Sequence, residues 1–314
     1  MFEYNYNPRT QILNIALPRI LHYNFEFMND MTELICNIMD DRKYCMQVRA
    51  SCPREPKYDK MCKAYIFNIL RNLTKSVKIL WNVELNNTIL SSVNTISGNK
   101  FTEIDVQKNA IADALNDYRF YNDQSVDKPI WEIANVIVEK NFTIGKNEVK
   151  EFLTTTIGEI FSNAFLHSEE DELFFIYDIE KKREDFYLCI TVIDYGNTIV
   201  HNVKEYFEEK MGNTIQSEDC IAWAIIEGNT TRRGSGGYGL STLINYIQNA
   251  KGELIIFSGD AYYRQKEGQE EVSKSNGIFL GTSVMFRIKL FETNNIIGYD
   301  SKSEKLISIS LENL

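Results

Sequence analysis

The stretch Glu159-Ile-Phe-Ser-Asn163-Ala-Phe-Leu-His167-Ser168 lies at the end of a helix that hydrophobic spacing predicts over Glu148–Leu166. Glu159, Asn163 and His167 are spaced i, i+4 and i+8, so they fall within an arc of about 80° on a helix. The adjoining arc is apolar and is predicted to face a sheet: Leu153, Ile157, Ile160, Phe161, Ala164 and Phe165. The spacing by itself is more typical of a solvated polar face.

A second segment, Val192-Ile193-Asp194-Tyr195-Gly196, places an acid directly after an apolar strand and before a turn glycine. An aspartate at a strand end can cap the following turn. It can also accept a hydrogen bond from an exocyclic amine in a pocket at the edge of the sheet.

A third segment, Arg232-Arg233-Gly234-Ser235-Gly236-Gly237-Tyr238-Gly239-Leu240, places four glycines immediately before a predicted helix. Glycines let backbone N–H groups turn toward an anion, and a helix N-terminus adds partial positive charge. The two arginines add further positive charge. Alone, the segment is equally typical of a flexible turn.

Together, and in this order, the three segments resemble the N, G1 and G2 boxes of the GHKL (histidine-kinase-like) ATPase superfamily. The helical segment is most similar to the form found in histidine kinases and anti-sigma kinases. Gly281-Thr282 is similar to the Gly-Thr that precedes the last core strand of the family. The resemblance covers roughly residues 150–290.

The resemblance implies an ATP site that uses Mg²⁺. Asn163 would hold Mg²⁺, Asp194 would bind the adenine amino group, and Glu159 would act as general base. The other residues implied in nucleotide binding are His167, Gly196, Arg232, Arg233, Gly234, Gly236, Gly237, Gly239, Leu240 and Thr282. One departure is Thr198, which stands where the family has a second glycine. It bears on turnover more than on binding.

The predicted fold class is α+β. The resemblance implies a Bergerat-type two-layer α/β sandwich over 126–293, with a mixed sheet covered by helices on one face. A smaller α/β domain over 1–125 precedes it and resembles STAS domains in its strand–helix alternation, and 294–314 is predicted to be a C-terminal tail. Strands Leu173–Ile179 and Phe186–Ile193 are predicted to form a hairpin, and Gly259–Gly281 a surface loop.

Composition limits the partners. The net charge is −10 and no basic patch is concentrated anywhere, so nucleic acid is not an expected partner. Six cysteines without a CxxC pair are expected to be reduced, buried thiols, and three histidines are too few for a clustered metal site. No apolar run is long enough to span a bilayer and no leader opens the chain, so we expect a soluble, cytoplasmic protein.

Two function classes follow. The first is an enzyme, either an ATPase or an anti-sigma-type Ser/Thr protein kinase acting on a protein partner. The second is a non-catalytic, nucleotide-gated interaction module in which ATP orders a lid over 197–239. A sensor histidine kinase is disfavoured because His22 lacks an acidic neighbour, and residues 291–314 are too few for a gyrase-type transducer domain. A homodimer is compatible with either class.

Overall fold

The computed structural model describes residues 2–40, 45–89, 101–103, 118–121, 131, 134–135, 146–168, 173–182, 185–231, 237–292, 295–300 and 305–310. The chain divides into two compact units. Unit 1 comprises Met1–Arg119 together with Ser275–Phe279, and unit 2 comprises Phe120–Lys274 together with Leu280–Leu314. Helices occur with mixed and antiparallel sheets, which confirms the predicted α+β class. The predicted boundary at 125/126 lies outside the described residues.

Unit 1 is built on a mixed sheet with the strand order β1-β2-β4-β6-β7. Its strands are β1 (Glu3–Asn7), β2 (Ile12–Ala16), β4 (Gln47–Ser51), β6 (Lys78–Asn82) and β7 (Phe101–Glu103), and a separate short pair joins β3 (Ile20–Leu21) to β5 (Lys57–Tyr58). The helices are α1 (Phe25–Met39), α2 (Lys60–Leu73) and α3 (Val83–Ile89). Strands β2, β4 and β6 are parallel, and the connections between them run through α1 and α2. This is the usual solution for joining parallel neighbours.

Unit 1 is discontinuous in sequence. Its second segment, Ser275–Phe279, bonds to α1: the Asn276 N–H donates to Asn29 Oδ1 (2.8 Å) and the Gly277 N–H donates to Thr32 Oγ1 (3.1 Å). The buried ring of Phe279 lies 6.4 Å from the ring of Tyr65 on α2. The late segment therefore supplies both hydrogen bonds and apolar surface to the unit.

Unit 2 contains a larger sheet. Among the described residues it has seven strands, in the order β14-β13-β12-β10-β9-β8, with β11 pairing to β12. The strands are β8 (Tyr118–Tyr121), β9 (Leu173–Lys182), β10 (Asp185–Asp194), β11 (Glu253–Lys266), β12 (Gln269–Glu292), β13 (Asn295–Asp300) and β14 (Lys305–Ser310). Four helices of unit 2 have described bounds: α4 (Lys146–Ser168), α5 (Ile199–Met211), α6 (Ser217–Ala224) and α7 (Gly239–Asn249). The antiparallel pairing of β9 with β10 confirms the predicted hairpin.

The prediction of a surface loop over Gly259–Gly281 is wrong. Residues 259–281 lie almost entirely in strands β11 and β12, which form one long hairpin. The turn between them places Glu267 (φ +52°) and Gly268 (φ +79°) at positive φ, the pattern of a type I′ turn. Two further strands, β13 and β14, lie within the predicted C-terminal tail.

The core of unit 2 joins α4 and α7 to the sheet. Ile157 and Phe161 of α4 are fully buried, and the Phe161 ring packs edge-on against Phe175 of β9 at 5.9 Å. Leu243 and Ile247 of α7 belong to the same core. Each such side chain contributes roughly 1.5–3 kcal/mol on burial. This packing fixes α4 and the start of α7 relative to the ends of the strands.

None of the six cysteines, all of which lie in the described ranges, forms a disulfide, and Cys52, Cys62, Cys189 and Cys220 are buried. Cys36 and Cys45 are half-buried, so the prediction of buried thiols is confirmed for four of the six. In unit 2, burial raises the pKa of Cys189 to about 12 and that of Cys220 to about 11, so both stay protonated and are poor nucleophiles. Within the described ranges no helix is both long and apolar enough to cross a membrane.

Candidate functional site

A pocket in unit 2 lies where α4, the end of β10, the middle of β12, the starts of α5 and α7, and the end of α6 come together. Its cavity volume, counted as the space open to the centre of a water-sized sphere, is about 120 Å³. One water molecule needs roughly 10–15 Å³ on this measure, so the pocket has room for an organic ligand. Six of the sequence-predicted site residues line it: Asn163, Asp194, Gly237, Gly239, Leu240 and Thr282.

Asp194 is the last residue of β10 and is 5% exposed. The Gly196 N–H donates to Asp194 Oδ1 at 3.1 Å, which orients the carboxylate. Across the ladder, Asp194 stands directly opposite Thr282 of β12, and both side chains face the pocket. An ionised carboxylate only accepts hydrogen bonds, whereas a hydroxyl can donate or accept. The floor of the pocket therefore pairs an acceptor with an adaptable group.

Gly281 makes this pairing sterically possible. It has φ +133°, and a Cβ added there would lie 2.1 Å from the Asp194 carbonyl oxygen and 2.7 Å from the Tyr195 Cα. No L side chain fits in that space. The Gly281-Thr282 dipeptide thus has a physical reason: the glycine lets β12 approach the end of β10, and the threonine then faces the pocket.

A buried hydroxyl stands behind Thr282. Ser258 of β11 is fully buried, and its Oγ lies 2.9 Å from Thr282 Oγ1. The same Oγ accepts the N–H of Ile199, the first residue of α5, at 2.8 Å. Ile199, Asn202 and Val203 of α5 line the pocket. Ser258 therefore connects the floor of the pocket to the helix that forms part of its wall.

Thr198 has a structural role at the position where the family has a glycine. It is the N-cap of α5, and its Oγ1 accepts the N–H of His201 at 2.9 Å. Threonine is a good N-cap and its backbone here is extended (φ −75°), so nothing at this position requires glycine. Thr198 therefore starts the helix that forms part of the pocket wall.

Hydrogen bonds join the glycine-rich segment to the chain that precedes it. The Gly228 N–H donates to the Gly237 carbonyl at 3.0 Å, and the Asn229 Nδ2 donates to the Trp223 carbonyl at 2.9 Å. Gly237 has φ +86°, and a Cβ there would lie 2.3 Å from the Asn229 carbonyl oxygen. Arg232, Arg233, Gly234 and Gly236 lie outside the described residues. The residues on both sides of that gap, Thr231 and Gly237, line the pocket.

Helix α7 directs its N-terminus at the pocket. Gly239 and Leu240, its first two residues, are on the pocket wall. The side chain of Tyr238, at the N-cap position, makes no capping hydrogen bond. The N–H groups of its first turn have no partner within the helix, and the helix dipole favours negative charge at this end.

Helix α4 contributes Asn163, which is half-buried and lines the pocket between Ile160 and Ala164. Glu159 and His167 lie on α4, one turn before and one turn after Asn163. Their side chains are not among those the structure describes. Their predicted roles stay predictions.

Many residues of the pocket wall were not predicted from the sequence. Val192 and Val284 each lie two residues from a predicted site residue on the same strand face, so strand alternation could have found them. Asn197, Asn202 and Trp223 had no such signal. Trp223 is held by Tyr206 and Phe207 of α5, with ring centroids at 5.4 and 5.6 Å.

A search of protein-family models and of curated proteins finds no match to this chain.

Proposed function

We propose that unit 2 binds ATP with Mg²⁺ as a member of the GHKL ATPase type. The observation that carries the proposal is the placement of Asp194 and Thr282 side by side on the floor of a pocket that also contains Asn163 and the start of α7. These are the positions at which the sequence resembles the family, and they come from four separate elements.

The donor set fits this ligand. Asp194 can accept from an exocyclic amine, and Thr282 can complete the contact at the ring edge. The side-chain oxygen of Asn163 suits Mg²⁺, a hard cation that takes few protein ligands when phosphates supply the others. The start of α7 offers N–H groups to phosphate oxygens, and Arg232 and Arg233 in sequence flank the same loop. When bound, Mg²⁺ neutralises charge on the phosphates.

The order of elements supports a Bergerat-type fold for unit 2. Helix α4 precedes the β9–β10 hairpin, the α5–α6 excursion follows, and α7 leads into β11 and β12. Helices α4 and α7 share one core with the sheet. Unit 1, with its antiparallel β1–β2 pair followed by parallel β2, β4 and β6, supports the weaker resemblance to STAS domains.

The enzymatic form of the proposal assigns Glu159 as the general base. It precedes Asn163 by one turn of α4, so the helical repeat puts it on the same face of the helix as the proposed Mg²⁺ ligand. A carboxylate there repels phosphate, and it is useful mainly if it orients or deprotonates a nucleophile. Water as nucleophile gives an ATPase, and a hydroxyl of a protein partner gives an anti-sigma-type kinase.

The alternative form is a nucleotide-gated interaction module. The lid region predicted over 197–239 contains α5 and α6, and the Lys204 ammonium joins them by donating to Ser217 Oγ at 2.8 Å. Ser258 connects α5 to Thr282, where the adenine would bind. A bound nucleotide can therefore shift the conformational equilibrium of the lid without being hydrolysed. This favours keeping the binding module as a second candidate.

The test is nucleotide binding followed through the pocket tryptophan. Trp223 lines the pocket, so we expect MgATP to change the tryptophan fluorescence, and Trp223→Phe to remove most of that change while calorimetric affinity persists. Phosphate release with and without candidate partner proteins then separates the enzyme from the module. A wild-type protein that shows no heat and no fluorescence change with MgATP would overturn the proposal.

A further inference from the structure

The hydroxyl of Ser258 has a defined set of neighbours in the interior of unit 2. Ser258 is fully buried. Its Oγ accepts the Ile199 N–H at 2.8 Å and lies 2.9 Å from Thr282 Oγ1 and 3.4 Å from the Gly281 carbonyl oxygen. Ser258 does not line the pocket itself, because Thr282 lies between Ser258 and the pocket.

The single hydrogen of the Ser258 hydroxyl has two candidate acceptors. Hydroxyl donors prefer heavy-atom distances of roughly 2.5–3.0 Å, and contacts near 3.5 Å are weak. The Thr282 oxygen at 2.9 Å is within this range and the Gly281 oxygen at 3.4 Å is not. The geometry therefore favours donation from the Ser258 hydroxyl to Thr282 Oγ1. The Ser258 oxygen in turn accepts the hydrogen bond from the Ile199 N–H.

This direction determines what Thr282 offers to a ligand. A hydroxyl that accepts from Ser258 has its own hydrogen left to donate on the pocket side. The Asp194 carboxylate, directly opposite on β10, can only accept. The floor of the pocket thus presents an acceptor beside a donor in a fixed order.

We propose that Ser258 is a positioning residue that makes this pocket select 6-amino purines over 6-oxo purines; the inference rests on the proposed nucleotide binding. The amino group at C6 of adenine donates and its N1 accepts, which matches Asp194 and Thr282, directly or through one water. A 6-oxo purine reverses both roles, because its O6 accepts and its N1–H donates. A carbonyl oxygen would then face the carboxylate.

The experiment compares MgATP with MgITP, which differ at this edge of the base alone, by calorimetry on the full chain. We expect the wild type to prefer ATP, and Ser258→Ala to reduce the ATP-to-ITP affinity ratio by roughly 3- to 10-fold, the worth of one hydrogen bond. Thr282→Val should reduce the ratio similarly. In the Thr282→Val background, Ser258→Ala should change the ratio no further, because Ser258 acts through Thr282.

Ser275→Ala is the matched control. Its hydroxyl donates to the Gly277 carbonyl in unit 1, so the ratio should equal that of the wild type. If Ser258→Ala does not fold, Thr282→Ser, which keeps the hydroxyl, should retain the ratio that Thr282→Val loses.

The outcomes separate the two ideas. An unchanged ratio in Ser258→Ala or in Thr282→Val, equal losses for both nucleotides in Ser258→Ala, or additive effects in the double variant would overturn the role of Ser258 while leaving ATP binding intact. A wild type that binds neither nucleotide would overturn the proposed function and this inference together.

Discussion

The backbones of Gly281 and Asp194 are so close that a single methyl group on Gly281 would lie 2.1 Å from the Asp194 carbonyl oxygen. The two residues belong to neighbouring strands, and their approach places Thr282 opposite the buried carboxylate. Backbone atoms cannot move aside as the end of a flexible side chain can. The floor of the pocket therefore depends on the absence of a side chain at one position.

Gly281→Ala should both destabilise unit 2 and abolish nucleotide binding. We expect the free energy of unfolding to fall by several kcal/mol, roughly 2–4, because β12 must separate from β10. Thermal unfolding and calorimetry measure the two effects. Gly268→Ala is the control, since Gly268 also has positive φ but nothing lies within 4 Å of its added Cβ. It should cost only about 1 kcal/mol and leave affinity unchanged; equal behaviour of the two variants would contradict the steric argument.

Asp194→Ala should weaken MgATP binding more than Asp194→Asn. The asparagine oxygen can still accept the hydrogen bond, so the Asn variant should lose roughly 1–3 kcal/mol and the Ala variant more. Isothermal calorimetry on both variants measures this order. Wild-type affinity in Asp194→Ala would show that adenine does not bind at Asp194.

Asn163→Ala should remove most of the Mg²⁺ dependence of ATP binding. The amide oxygen is the protein ligand proposed for the ion, and Asn163 lies on a helix packed by Phe161 and Ile157, so its truncation should leave the helix intact. Binding of ADP in the presence of a chelator should change little. An equal loss with and without Mg²⁺ would mean that α4 itself was damaged.

Glu159→Gln should keep or tighten ATP binding while lowering turnover at least tenfold, since general bases contribute about 10²–10⁴-fold. Removing a negative charge near the phosphates favours binding, whereas removing the base slows chemistry. Phosphate release, or transfer to a partner, is measured beside a binding isotherm on the same variant. Unchanged turnover would make Glu159 structural, and a wild type inactive with every partner would favour the gated module.

Thr198→Ala should speed amide exchange in α5 by about fivefold, because loss of an N-cap costs about 1 kcal/mol. Thr198→Gly should have a much smaller effect, since glycine is a tolerated N-cap. Exchange in α7 should be unaffected in both variants and serves as the internal control. If Ala and Gly behave alike in α5, the hydroxyl bond to the His201 N–H is not what holds the helix start.

The parts of unit 2 that follow strong local rules could be predicted from the sequence. Helix α4 and the β9–β10 hairpin are examples, because an apolar face at helical spacing and two β-rich runs around a charged turn are local signals. The sequence also predicted six residues that line the pocket: Asn163, Asp194, Gly237, Gly239, Leu240 and Thr282. Their proximity depends on topology, and the order of the segments in the chain indicated that topology only through the family resemblance.

The β11–β12 hairpin was missed because its turn has an unusual sequence. Glu267-Gly268 occupies the two central positions of the turn, where Asn-Gly or Asp-Gly is the common signal. The strand after it is polar on its exposed positions, so 269–277 looked like a loop. Helix α5 was missed for a different reason. Thr198 was interpreted as a lost glycine, although Thr198 and Gly212 (φ +64°) are ordinary start and stop residues of a helix.

The discontinuity of unit 1 has a consequence during synthesis of the chain. The ribosome makes Arg119 well before Phe279, and at about 5–20 residues per second the interval between them is on the order of 10–30 s. Throughout that interval Tyr65 lacks its neighbour Phe279, and Asn29 and Thr32 of α1 lack the N–H groups that bond to them in the finished protein. Unit 1 therefore begins to emerge before unit 2 but cannot reach its final packing until residues 275–279 have been made, by which time most of unit 2 has also been synthesised.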